Sequence, residues 1–93
     1  MPVTSIAGSG LATVKTAVSA AERGVEREVM IYNGGGETLL VAVDGTATTS
    51  LYSLPIPAGE GQDFDGIMAR KSFTVIGSDG AMTGEILVTV TEA

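Results

Sequence analysis

The stretch Glu85-Ile86-Leu87-Val88-Thr89-Val90-Thr91-Glu92 decides the fold class. Ile86, Val88 and Val90 fall on one side of an extended chain and Thr89 and Thr91 on the other, which is the period of a half-buried β-strand. Working back along the chain, residues 73–77 read as a further strand that Ser78-Asp79-Gly80 ends in a turn. Residues 62–66 form a short strand centred on Phe64, and residues 67–71 a turn or a single helical turn. Residues 25–33 alternate, with Val25, Arg27, Val29 and Ile31 on one face and Glu26, Glu28, Met30 and Tyr32 on the other. Asn33-Gly34-Gly35-Gly36 accepts the positive φ of a tight turn, and residues 38–44 resume with Leu39, Val41 and Val43 inward. These two strands are therefore predicted to form a hairpin. Asp44-Gly45 closes the second strand. A Thr/Ser-rich stretch then leads to Leu54-Pro55-Ile56-Pro57, where the prolines exclude a central strand or a helix and the chain is expected to cross between sheets.

Residues 1–24 fit two templates. Leu11, Val14, Val18 and Ala21 have helical spacing, while Val14, Thr16 and Val18 also alternate. The β-branched residues favour a strand over 13–19, with 20–24 as the turn after it. Residues 1–10 read as an extended arm. Val3 and Ile6 are its sizeable anchors after Met1, and Gly8-Ser9-Gly10 is a hinge that lets the arm lie along another surface. The prediction is an all-β, small single-domain β-sandwich of about six to eight strands, jelly-roll-like or Ig-like, spanning 25–93, with 1–24 as the arm and a first strand.

Composition narrows the function classes. The chain has 93 residues, no Cys and no His, so disulfides, thiolate metal sites, Cys nucleophiles and imidazole bases are all absent. Five Lys+Arg against eleven Asp+Glu give a formal charge of −6, the wrong sign for gripping a phosphate backbone, so no nucleic-acid partner is expected. No apolar run approaches about eighteen residues, so no membrane span is expected. The opening MPVTSIAGSG, residues 1–10, lacks the basic and apolar regions of a secretory signal, an expectation of cytoplasmic synthesis. With 44% hydrophobic and 17% charged residues, the chain has the composition of a folded protein.

The motifs with chemical meaning have simple readings. Asp63-Phe64-Asp65-Gly66 has the carboxylate spacing of part of a calcium loop, but the bidentate Glu required later in such a loop is missing, so two solvent-facing carboxylates flanking an inward Phe64 account for it. Gly34-Gly35-Gly36 lacks the Lys and the following helix of a phosphate-cradling loop. No catalytic residues, no metal ligands and no cofactor are expected. Arg70 and Lys71 are adjacent cations on an acidic domain, candidates for contact with a charged partner. Met30, Leu40, Ile76 and Leu87 stand where strict alternation would place polar residues, so something must cover them. With Val3 and Ile6 of the arm, they are the candidate oligomer or partner interface.

Several of these segments occur in a suggestive order. Val29-Met30-Ile31-Tyr32-Asn33 precedes Leu40-Val41-Ala42-Val43-Asp44-Gly45, and Thr48-Thr49 leads to Leu54-Pro55-Ile56-Pro57-Ala58-Gly59-Glu60. Phe64 and the terminal Ile86-Leu87-Val88-Thr89-Val90 follow. This series resembles small β-sandwich virion structural proteins of tailed bacteriophages, over residues 29–92. The inserted Ile56-Pro57 and the triple glycine depart from that pattern. The resemblance implies a capsid decoration or cement protein on the virion surface, a homotrimer whose partner is the major capsid protein. The alternative it implies is a fibre or tail-attachment module that recognises host-surface carbohydrate, for which Tyr32 and Tyr52 are the available stacking platforms.

Overall fold

The computed structural model describes residues 3–92. They form eight strands: β1 (Val3–Ala7), β2 (Lys15–Val18), β3 (Arg27–Asn33), β4 (Leu39–Val43), β5 (Leu54–Ile56), β6 (Gly61–Phe64), β7 (Phe73–Gly77) and β8 (Glu85–Glu92). A four-residue helical turn, α1 (Gly66–Ala69), follows β6. The strands make two four-stranded antiparallel sheets, β1-β8-β3-β6 and β2-β7-β4-β5, hereafter the first and second sheet.

The pairing is nested: β4 with β5, β3 with β6, β2 with β7 and β1 with β8. The chain is thus one long antiparallel ribbon doubled at residues 44–53 and rolled until β3 meets β8 and β4 meets β7. That nesting is the jelly-roll order, and it selects that topology over the Ig-like one. Alternation places Val29 and Ile31 of β3, Ile86 and Val88 of β8, Leu39 and Val41 of β4 and Phe73 and Val75 of β7 between the sheets, all buried. Phe64 and Phe73 meet across the layers with ring centroids 4.7 Å apart and tilted by 59°, a geometry that favours the ring quadrupoles. The accessible surface is 5116 Å², against about 5,000 Å² expected for a folded chain of this mass.

Two expectations are corrected. The first concerns residues 33–39, which do not close a hairpin: β3 and β4 lie in different sheets, and this segment is the crossing between them. Its glycines serve close approach. A Cβ on Gly34 would sit 2.5 Å from the Glu85 carbonyl oxygen, and one on Gly35 2.5 Å from that of Thr83. Asn33, fully buried, stabilises the corner. Its Nδ2 donates to the carbonyls of Glu37 and Ile56 (both 2.8 Å), and its Oδ1 accepts from the Gly35 N–H at 2.9 Å.

The second correction concerns the N-terminal arm. Residues 3–7 are extended, as expected, yet they lie on their own domain, paired with β8 from Val3↔Thr89 to Ala7↔Glu85. Ile6 turns inward onto the core, and Leu11, fully buried, anchors the segment behind it. The supposed hinge is a 3₁₀ turn, Gly8–Gly10. Gly8 donates to the Gly84 carbonyl and accepts from the Met82 N–H, both at 2.9 Å, and three backbone carbonyls leave no room for a side chain there. Met1, also expected in the arm, lies outside the described residues.

Removing the Asn33 amide would leave two carbonyls and one N–H without their partner. Asn33→Ala is predicted to lower the unfolding free energy by about 3 kcal/mol in urea titrations. A change below about 1 kcal/mol would show that water replaces the amide at little cost.

Candidate functional site

The outer faces of the two sheets differ. On the second sheet the run Leu39-Leu40-Val41-Ala42-Val43 has no polar residue, the composition of a strand covered on both sides. Leu40, opposite Ile76, is 4% exposed, and its neighbour along that face, Ala42, is buried opposite Thr74. The loop 44–53 at the tip of the ribbon folds back here. The buried Ala47 donates its N–H to Thr74 Oγ1 at 2.9 Å, and that hydroxyl donates to the Gly45 carbonyl at 2.8 Å. At the loop's far end the Ser53 N–H bonds the Val41 carbonyl and Ser53 Oγ accepts from the Val43 N–H. Leu40 is thus corrected as an interface candidate: its surface is already used within the chain. Ile76, its half-buried partner, has little left to offer.

The first sheet has an open outer face. In register across it run the rows Val3–Thr89–Met30–Asp63 and Ser5–Leu87–Tyr32–Gly61. Val3 is 59% exposed, Met30 42%, Leu87 38% and Tyr32 37%, so four large apolar or aromatic side chains meet solvent on one flat surface. Scattered exposed apolar residues are ordinary, whereas these four stand together on one sheet face, which makes it the candidate contact surface. Carboxylates stand around it: Glu28 two residues before Met30, Asp63 opposite Met30, and Glu85 two residues before Leu87, accepting from Ser5 Oγ at 2.8 Å. No Lys or Arg stands among the described residues whose side chains point out from this sheet.

Of the residues singled out in the sequence, the fold brings together Val3, Met30 and Leu87. Ile6 faces the core instead, since three residues along a strand place it on the face opposite Val3. Tyr32 belongs with the patch, and the Met30–Tyr32 spacing was the signal for it. Arg70 and Lys71 are exposed at the far end of α1, where Arg70 pairs with Glu26 at 3.0 Å and Lys71 lies 4.0 Å from Asp44. Exposed pairs of this kind contribute little and leave both cations accessible to a partner.

Arg27 has a role that its inward position in the alternation did not show. Its Nε donates to the Ala69 carbonyl at 2.6 Å, and its Nη2 to those of Ser19 at 2.7 Å and Lys71 at 3.2 Å, tying the residue after β2, the end of α1 and the turn before β7 to β3. It lines a hollow together with Glu26, Glu28, Asp65, Arg70 and Glu92. Both guanidinium groups there are engaged within the chain, and among the described residues no group of three or more acidic, His or Cys side chains is placed to hold a metal ion. No described helix is long and apolar enough to cross a membrane. Compared with known proteins, the chain matches no family model, no curated protein and no solved structure.

The assignment of faces is checked by adjacent residues of β8. Leu87→Asp is predicted to cost about 1 kcal/mol or less, because its carboxylate stays in water, while Val88→Asp buries an unpaired charge and costs more than about 4 kcal/mol. Equal losses in thermal and urea unfolding would contradict the alternation described here.

Proposed function

We propose that this chain is a non-enzymatic virion structural protein of the capsid decoration or cement type, which seats the outer face of its first sheet on neighbouring subunits of the major capsid protein. The observation that carries the reading is that the outer face of the first sheet leaves Val3, Met30, Tyr32 and Leu87 in solvent, whereas Leu40 and Ala42 on the outer face of the second are buried within the chain. The eight-stranded jelly roll is an architecture used by viral capsid and lectin domains, which supports the class by analogy only. The mechanism is bridging. Apolar area buried between shell subunits raises the cost of separating them by about 25 cal/mol per Å² before association costs are subtracted. The carboxylates around the patch and the net charge of −6 favour a basic rim on the capsid side.

Carbohydrate recognition is the second reading. It has less support, because Tyr32 stands on β3 of the first sheet and Tyr52 in the loop 44–53 that folds onto the second, so the two do not make one stacking platform. The test is to mix the purified chain with shells assembled from the major capsid protein and to measure occupancy and the temperature of shell disruption. Wild type is predicted to saturate and to raise that temperature, with occupancy falling as salt rises, and Met30→Asp/Leu87→Asp to lower apparent affinity at least about tenfold while remaining folded. Binding on a glycan array without shell occupancy would reverse the order of the two readings.

A further inference from the structure

The two sheets end in four edge strands: β1 and β6 in the first, β2 and β5 in the second. An edge strand carries unpaired N–H and C=O groups that template pairing with another chain, and folded proteins guard such edges with proline, charge, bulges or short length. Three of the four are guarded here. Pro55 occupies the middle of β5, β2 has Lys15 and a register shift between Thr16 and Val18, and β6 is four residues long with Asp63 on it. β1, Val3-Thr4-Ser5-Ile6-Ala7, has no charge, no proline and no bulge.

The hydrogen-bond parity of β1 shows which groups are free. Gly8 lies opposite Gly84 in continuation of the β1–β8 register, and its N–H bonds the Gly84 carbonyl at 2.9 Å. Antiparallel pairs alternate between bonded and non-bonded, so Ile6 and Thr4 bond to β8, while Val3, Ser5 and Ala7 direct their N–H and C=O groups away from it. Those three positions are related by a two-fold axis through Ser5. Two antiparallel copies of β1 in that register pair Ser5 with Ser5 and Val3 with Ala7, all on bonding positions, and make about six backbone hydrogen bonds.

We propose that β1 is a self-association edge: two copies of this chain join β1 to β1 about a two-fold axis at Ser5, making one continuous eight-stranded sheet from their first sheets. The occupant is a second copy because the segment is self-complementary in both parity and side-chain size, uncharged, and matched by no other open edge among the described residues. The pairing closes on two copies, in place of the three that the resemblance implies, since a three-fold ring would need β1 to meet one of the guarded edges. It sets two Val3–Met30–Leu87 patches side by side on one surface. The inference does not depend on the docking proposal, since it is read on the purified chain with no shell present.

The test is sedimentation equilibrium from micromolar to millimolar concentration on wild type, Ala7→Pro and Ser5→Lys. Ala7 has φ −66° and ψ 127°, a conformation proline adopts, and its N–H points away from β8, so Ala7→Pro keeps the monomer fold and blocks the edge. Ser5→Lys sets two cations opposite each other at the axis. Wild type is expected to show a monomer–dimer equilibrium that each variant weakens more than about tenfold, with unchanged melting of the dilute monomer. A mixed labelled and unlabelled sample is expected to show an intermolecular Hα–Hα contact between Thr4 and Ile6, the non-bonded pair of that register. A chain that stays monomeric at millimolar concentration, or an oligomer that survives both variants, would overturn the proposal.

Discussion

One buried side chain, Asn33, sits where the rolled ribbon changes sheets. Its amide reaches forward to the Glu37 carbonyl, across to the Ile56 carbonyl at the end of β5, and holds the Gly35 N–H. Its backbone adds two bonds, accepting from the Gly59 N–H and donating to the Glu60 carbonyl, both at 2.8 Å. The corner after β3 and the corner before β6 are thus joined at one residue. Buried polar groups cost free energy unless every donor and acceptor is met, and none of the buried side-chain polar atoms among the described residues lacks a partner. A satisfied amide at this point specifies the corner in a way that an apolar residue of the same volume would not.

Strand positions and inward faces were legible in the sequence wherever polar and apolar residues alternate, as in Glu85–Glu92, Phe73–Gly77 and most of Arg27–Asn33. Partner choice was not. A glycine run after a strand reads as a hairpin because positive φ is the commonest need that glycine meets. Here Gly34 and Gly35 are required by the carbonyls of Glu85 and Thr83, residues about fifty positions away. The N-terminal segment was misread for the same kind of reason. Small, uncharged residues suit a mobile arm and a docked edge strand equally, and the difference lies in β8 and in the pocket for Leu11.

The candidate site was half legible. Interrupted alternation singled out Met30 and Leu87 together with Leu40 and Ile76, because local pattern records that a second face is apolar and not what covers it. Burial separates the two pairs: Leu40 is 4% exposed and Ile76 half-buried within the chain, while Met30 and Leu87 stand in solvent. A run with no polar residue at all, as in Leu39–Val43, was the available sign that both faces of β4 are covered.

The central claim is that the two outer faces differ in what they are for, and the absence of native cysteine allows a direct measurement. Single cysteines placed at Met30 and, on the exposed loop over the second sheet, at Leu51 can be labelled with a thiol reagent in the free protein and after binding to capsid shells. Both positions are predicted to react readily in the free protein, and the shell to protect only the one at residue 30. Protection at residue 51 with residue 30 still reactive would contradict the account.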